Sequence, residues 1–338
     1  MFLFRTMPKG EKMETVSKNG LNISKMTLGT VQLGLSYGVN NSAGKPTEEK
    51  SFAILDAAYE GGVTILDTSD DYGNSEEVIG KYLQTHPDKH FDICTKFKVT
   101  EETSKDIYKS LREFAIASAK KLCIDRIPIF MSHTERNFID YGDKLIEALN
   151  ELKKEGLIIN AGISMSNKDE IDRIVNSGGF DAIQIPMNIL DNKIISNGTV
   201  KRTSDAGIAV FVRSVYLQGL FFRKKEDFLV QNPNAPKLKL EEMYNKVWPE
   251  VEKVHNFAAE LSMPVAELAL SFIRDTYGVD SLVVGSETPE QVVQNVAMFN
   301  TPKLSDDVLS RILNEFTDLD PFVISPWMWE ERYKPQNV

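Results

Sequence analysis

The chain has little cysteine, a deficit of basic residues and no long apolar run, and each shortage closes off a class of protein. Cys94 and Cys123 are the only cysteines in 338 residues. Two are too few for a disulfide scaffold and lack the spacing of a zinc site, so a reducing compartment and no metal are expected. No stretch approaches the roughly 20 apolar residues of a membrane span. The opening Met1-Phe2-Leu3-Phe4 is interrupted by Arg5 and followed by Pro8, Lys9, Glu11 and Lys12. That leaves it short of the apolar core of a signal peptide, and residues 1–13 read as a loose N-terminal tail. Against 49 Asp plus Glu stand 39 Lys plus Arg, for a formal charge of −10. A surface of that sign repels a nucleic-acid backbone or an anionic membrane. The expectation that survives is a cytoplasmic protein acting on small molecules, as a monomer or weak homo-oligomer.

What is present is an alternation. Lys18-Asn19-Gly20 sits between two short alternating runs, and Asn-Gly suits a type I′ turn, so a hairpin is expected to cap one end of the fold. Short β-branched runs then alternate with amphipathic helical ones. Strands are expected near 26–32, 63–67, 91–96, 126–132, 158–164, 181–186, 208–213 and 281–284. Helices are expected over 47–60, 75–85, 104–122, 140–155, 168–177, 199–206, 265–275 and 289–298. Eight repeated βα units most simply close into a (β/α)8 TIM barrel, an α/β fold, with long loops over the face at the strands' C-terminal ends. An open doubly wound sheet is the alternative, but no Gly-x-Gly-x-x-Gly follows the first strand. Residues 14–338 read as one barrel domain, with an insertion at about 218–262 and a C-terminal helix and tail at about 303–338. Loops of that length tend to carry function.

Four residues fall where a buried strand gives way to a loop: Asp67 after Val63-Thr64-Ile65-Leu66, Tyr72 in Asp70-Asp71-Tyr72-Gly73, Lys96 after Phe91-Asp92-Ile93-Cys94-Thr95, and His133 after Ile127-Pro128-Ile129-Phe130-Met131-Ser132. Each has a bland reading: Asp67 as a helix cap, Lys96 as a surface lysine, His133 as a core histidine, Tyr72 as a loop aromatic. Together they suit acid chemistry, because tyrosine, with a pKa of about 10, is a useful acid at pH 7 only beside a cation. Lys96 would supply the charge and Asp67 would hold it. Lys96 alone also permits a Schiff-base aldolase.

This set, with Leu66-Asp67-Thr68 and Tyr72-Gly73-Asn74-Ser75-Glu76-Glu77-Val78-Ile79-Gly80, resembles the aldo-keto reductase family from about Leu28 to Met298. The resemblance implies reduction of an aldehyde or ketone, sugar-derived in one reading, by hydride from NADP(H) or NAD(H), with no metal. Tyr72 is then the proton donor, Lys96 and Asp67 its activators, and His133 the group that orients the carbonyl oxygen. It also implies a cofactor shell: Gly29, Thr30 and Asp67; Ser164 and Gln184 on the carboxamide; Arg213 where relatives place a stacking aromatic; Ser214 and Gly219 after it; and Gly285, Ser286, Glu287, Gln291 and Asn295 around the adenosine. Met165 departs from the family's Ser-Asn pair, for which Asn167 could compensate unless it is a helix cap. Glu287 stands where relatives preferring NADP place a base, so use of NAD is expected. Tyr37, Trp327 and Trp329 are expected to line the substrate pocket. A cofactor-binding regulatory subunit with negligible turnover is the alternative function.

Overall fold

The computed structural model describes residues 13–36, 44–231 and 237–332. Tyr37, most of the expected N-terminal tail and the run 232–236 lie outside the described residues. Strands β1 (Thr15–Lys18) and β2 (Leu21–Ser24) form an antiparallel hairpin. Both central turn residues have positive φ, Asn19 at 52° and Gly20 at 74°, as a type I′ turn requires.

Eight parallel strands follow and close on themselves: β3 (Met26–Gly29), β4 (Ile65–Asp67), β5 (Asp92–Phe97), β6 (Ile127–Ser132), β7 (Ile158–Ser164), β8 (Ala182–Pro186), β9 (Ala209–Arg213) and β10 (Ser281–Gly285). The ring is sealed where β10 pairs with β3, Leu282 opposite Met26 and Gly285 opposite Gly29. The hairpin plugs the N-terminal end. Leu21 and Ile23 pack against Ile65, Cys94, Ile129, Ala182, Ala209 and Phe211, which are interior barrel residues. The Asn19 side chain donates to the carbonyls of Asp181 and Gly207, just before β8 and β9, and Lys18 pairs with Asp280 just before β10 at 3.0 Å.

The interior positions locate the functional face. Side chains on a strand alternate between faces, so a residue two beyond an interior one also points inward, one layer nearer the C-terminal mouth. Ile65 leads to Asp67, Cys94 to Lys96, Met131 to His133, Ala182 to Gln184, and Phe211 to Arg213. The layers beneath are mostly apolar, with a buried Thr27–Ser281 hydroxyl pair at 2.7 Å among them, and the top one is chemical.

The helices cover the outside, where their apolar stripes meet the outward faces of the strands. Thr47 caps helix Glu48–Glu60 and Thr288 caps helix Pro289–Phe299, each by accepting a backbone N–H. Several boundaries differ from those expected. The first barrel strand ends at Gly29 rather than near 32: the Thr30 N–H makes the last ladder bond, to the Asp67 carbonyl, and its hydroxyl bonds the same carbonyl, each at 2.9 Å. A single helical turn, Val31–Gly34, replaces the rest of the strand. The helix expected from 104 starts at Ile107, capped by Asp106 after a turn of 3-10 helix. The one expected from 140 is Asp143–Glu155, after a separate Arg136–Tyr141.

The long segment between β9 and β10 holds 3-10 turns at Leu217–Phe222 and Lys225–Leu229 and the helix Trp248–Glu260. It is zipped to the C-terminal tail: Leu238 bridges to Glu330, Lys239 N–H donates to the Trp329 carbonyl and Glu331 N–H to the Lys237 carbonyl, both at 2.8 Å. Trp329 is 1% exposed and its indole N–H donates to the Phe322 carbonyl at 2.6 Å. Its indole is enclosed where the tail meets the insertion. Trp327, by contrast, is 49% exposed.

Candidate active site

Asp67 and Lys96 end neighbouring strands, and both are buried. The lysine ammonium lies 2.7 Å from each oxygen of the carboxylate and 2.9 Å from the Thr68 carbonyl. Gln184 donates to the same carboxylate at 2.7 Å. Burial, the largest single influence, disfavours the ammonium's charge, but Asp67, Tyr72 and Cys94 together outweigh it, and the lysine pKa is raised. Lys96 is therefore a permanent cation aimed at the mouth.

Above it stands Tyr72, half-buried, its ring centroid 5.1 Å from the lysine nitrogen. The tyrosine is placed by a close approach of two loops. A Cβ on Gly34 would fall 1.7 Å from the Tyr72 carbonyl oxygen, and one on Gly73, whose φ is 58°, would fall 2.5 Å from the Gly34 carbonyl oxygen. Only glycine fits either position. Ser75 completes the brace, donating to the Thr30 carbonyl at 3.0 Å.

His133 follows β6, its N–H on the Phe97 carbonyl at 2.8 Å, and meets the Tyr72 ring edge-on at 5.8 Å between centroids. Burial, then the charges of Lys96 and Lys98, depress its pKa to about 4 against the opposing pull of Asp71 and Asp67. The imidazole is neutral at pH 7. Thus the four residues separated by up to 66 positions in the chain (133 − 67) meet as a buried ion pair, an aromatic hydroxyl and a neutral imidazole.

Around this group lie the other residues singled out in the sequence. Ser164, at the end of β7, pairs with Gln184 in the middle of β8, and both are buried. Arg213, at the end of β9, donates to the Met165 carbonyl at 2.9 Å and to the Ser166 hydroxyl at 3.2 Å, so the guanidinium lies along the β7 rim. Asn167 caps the turn at Lys168–Glu170 by accepting the Asp169 N–H, which is the cap role left open for it. Ser214 and Gly219 both have left-handed backbone, with φ of 63° and 84°, and Leu217 and Gln218 share that strain.

After β10 the loop is folded onto its own helix. Asn295 donates to the Ser286 hydroxyl at 3.0 Å, and Gln291 accepts the Glu287 N–H at 2.7 Å. Glu287 is partly buried, its carboxyl raised by that burial and lowered less by Lys50. Gly29 backs onto Gly285. Thr30, expected in the cofactor shell, is fully enclosed, and its hydroxyl donates to the Asp67 carbonyl at 2.9 Å.

Sequence reasoning passed over Gln32 and Ser69. A Cβ on Gly285 would fall 2.4 Å from the Gln32 amide nitrogen, which places Gln32 across the β10 loop. No spacing points to it. Ser69 touches His133 from the loop after β4, beyond the reach of strand alternation. Among the described residues no group of three or more His, Cys, Asp or Glu is placed to hold a metal, and no helix is long and apolar enough to cross a membrane.

A parallel eight-stranded barrel with a lysine–carboxylate pair, a tyrosine and a histidine at its C-terminal mouth defines a class of oxidoreductases. The chain belongs to the Aldo/keto reductase family, whose model matches residues 25–314, and it is an NAD(P)-dependent oxidoreductase of that family. It is 30% identical over 306 residues to the NADH-specific methylglyoxal reductase of Escherichia coli (strain K12), covering 85% of this chain and 92% of that protein. Its fold is similar to the aldo-keto reductase AKR11C1 from Bacillus halodurans (holo form), with a TM-score of 0.72 and 22% identity over 92% of this chain and 99% of that one. The glycerol dehydrogenase AKR11B4 from Gluconobacter oxydans is similar in fold at a TM-score of 0.68 and 21% identity, over 91% and 98% of the two chains.

Proposed function

We propose that the protein reduces a small aldehyde or ketone to the alcohol, with Tyr72 as proton donor and NADH accepted at least comparably to NADPH. The observation that carries the reading is the Lys96 ammonium, buried and saturated by Asp67, held against the Tyr72 ring. A phenol is a poor acid unless its anion is stabilised, and a fixed cation in a site of low dielectric stabilises it without any reorganisation. Tyr72 gives its proton to the carbonyl oxygen as that oxygen gains charge. His133, neutral at pH 7, hydrogen-bonds the same oxygen and orients it. In the reverse direction Tyr72 takes the proton back.

The residues present fit a nicotinamide dinucleotide. Ser164 and Gln184 offer a hydroxyl and an amide side by side beside the catalytic pair, which suits a carboxamide, and Arg213 is a planar cation able to stack on a ring. The entrance to helix Pro289–Phe299 suits a phosphate. Reduced nicotinamide, when bound, supplies the hydride. Glu287 disfavours a dianionic 2′-phosphate and can accept hydrogen bonds from free ribose hydroxyls, and the relative named as NADH-specific supports that preference. The same relative makes 2-oxoaldehydes the first substrates to try, with aldoses and simple ketones beside them. The scarcity of cysteine supports a cytoplasmic setting.

The test is oxidation of NADH and NADPH against that carbonyl panel by wild type and Tyr72→Phe. Wild-type turnover of at least one carbonyl with a loss of 10²-fold or more in the variant is expected, the usual scale for general acid catalysis. A protein that binds nucleotide and leaves it unoxidised across the panel would favour the regulatory-subunit alternative. A variant keeping more than a tenth of the rate would remove Tyr72 as the acid.

A further inference from the structure

A neutral imidazole has one proton and two nitrogens, so a histidine that must donate to a carbonyl oxygen has to carry its proton on the right one. In His133 the nitrogen Nδ1 faces the protein and has two oxygens near it, the Ser69 hydroxyl at 3.3 Å and an Asp71 carboxylate oxygen at 3.4 Å. These two neighbours can favour opposite tautomers. A carboxylate only accepts and would draw the proton to Nδ1, leaving a bare lone pair at Nε2. A serine hydroxyl is able to donate to Nδ1 and so leave the proton on Nε2.

We propose that Ser69 is a positioning residue that decides this contest by donating to Nδ1, holding the His133 proton on Nε2 where the carbonyl oxygen needs it. The proposal rests on the reading of His133 given above. Three observations carry it. Ser69 is fully enclosed, whereas the Asp71 side chain is 44% exposed, where water screens its pull. The same Asp71 oxygen that faces the ring is ion-paired with Lys98, so much of its charge is answered elsewhere. The Asp71 backbone N–H donates to the Ser69 oxygen at 3.2 Å, filling an acceptor lobe and leaving the hydroxyl proton to be given away. Its possible acceptors are Nδ1 at 3.3 Å and the Asp70 carboxylate at 3.4 Å. The contact to Nδ1 is long for a hydrogen bond, as catalytic contacts commonly are before substrate binds. Because Lys96 and Lys98 both oppose a third positive charge there, the ring stays neutral and the choice of tautomer is the choice that matters.

The chain has 4 histidines, so ring nitrogen shifts of protein labelled with 15N-histidine are resolvable, with His133→Gln identifying the His133 signals. Wild type is expected to carry its proton on Nε2. Ser69→Ala leaves Asp71 as the partner and is expected to move the proton to Nδ1, with kcat falling tenfold or more while nucleotide Kd stays within twofold. Ser69→Thr keeps a hydroxyl and should keep both tautomer and rate. Asp71→Asn in the Ser69→Ala background supplies an amide N–H to Nδ1 and should restore both, a rescue that mere loosening of the turn would not produce. Wild type with its proton on Nδ1, or Ser69→Ala with the tautomer unchanged, would overturn the proposal. A tautomer that responds as expected while kcat does not follow would support the assignment to Ser69 and overturn the role given to His133.

Discussion

The two sides of the barrel mouth are built by different means. On the side formed by β4, β5 and β6, Asp67, Lys96 and His133 sit within one residue of a strand end, and Tyr72 is held by the loop after β4. Asp67 and Lys96 are enclosed, and their positions follow from the hydrogen-bond ladder beneath them. On the side formed by β9, β10 and their loops, the groups sit on irregular backbone. There Ser214, Leu217, Gln218 and Gly219 are all left-handed, and the Glu287 backbone N–H donates to the Gln291 side chain. A strand end places a side chain to within the rigidity of the sheet, in a medium where charges act strongly. A loop places it through side-chain caps, close to water, where the same charge is screened. Substitutions on the first side should therefore cost much more than those on the second.

Lys96→Met breaks the tighter side and should have the largest effect. It removes the cation from Tyr72 and leaves Asp67 buried without its partner, for which about 3 to 5 kcal/mol of lost stability is the usual scale, with a fall in kcat of roughly 10²-fold or more. Thermal denaturation and steady-state rates of the same preparation check both halves. A variant that reduces carbonyls normally at pH 7 would erase the contrast between the two sides.

His133 sharpens the comparison through pH. Its folded pKa of about 4 lies below the ordinary value of 6.5, so the unfolded chain takes up the proton first as pH falls. Stability attributable to this residue is intact above about pH 6.5 and declines between 6.5 and about 4, by an amount on the order of a few kcal/mol. Urea denaturation at pH 7 and pH 5 should show the wild type losing more stability over that interval than His133→Gln. Equal losses would mean the ring is not held neutral by its surroundings.

Glu287→Arg tests the looser side, where the expected effect is smaller. Exchanging a carboxylate for a cation near the ribose should shift the ratio of catalytic efficiencies toward NADPH by about tenfold, or 1.4 kcal/mol. Low salt should enlarge the shift. A ratio that does not move would put Glu287 away from the 2′ position. Asn295→Ala, which deletes only the bond to Ser286, should weaken nucleotide binding by a few-fold, on the scale of about 1 kcal/mol for one hydrogen bond. Fluorescence titration of the nucleotide measures it, and a loss as large as that in Lys96→Met would show both sides to be equally rigid.

Most of the tight side was legible in the chain because each residue follows an apolar run whose end marks the mouth. Asp67 after Ile65-Leu66 and Lys96 after Ile93-Cys94-Thr95 need only the alternation of a strand to be read as interior. The same holds for the hairpin, where Asn19-Gly20 demands a turn that few other dipeptides adopt. The loose side was legible only through resemblance, since nothing local makes Glu287 or Arg213 look different from a solvated charge.

Local sequence thus determined the elements whose stability comes from neighbours in the chain: the βα alternation, the Asn-Gly turn and the inward run of each strand. Tertiary structure alone decided where the first barrel strand stops, its last ladder bond running from Thr30 to a carbonyl 37 residues away. It alone sent Trp329 into the packing of the tail against the insertion, through a bridge between Leu238 and Glu330. It alone set Ser69 against Asp71 at one nitrogen of His133. Periodicity reports which face a residue occupies; the partner it meets there depends on how the barrel closes, and closure brings together residues whose separation along the chain leaves no local trace.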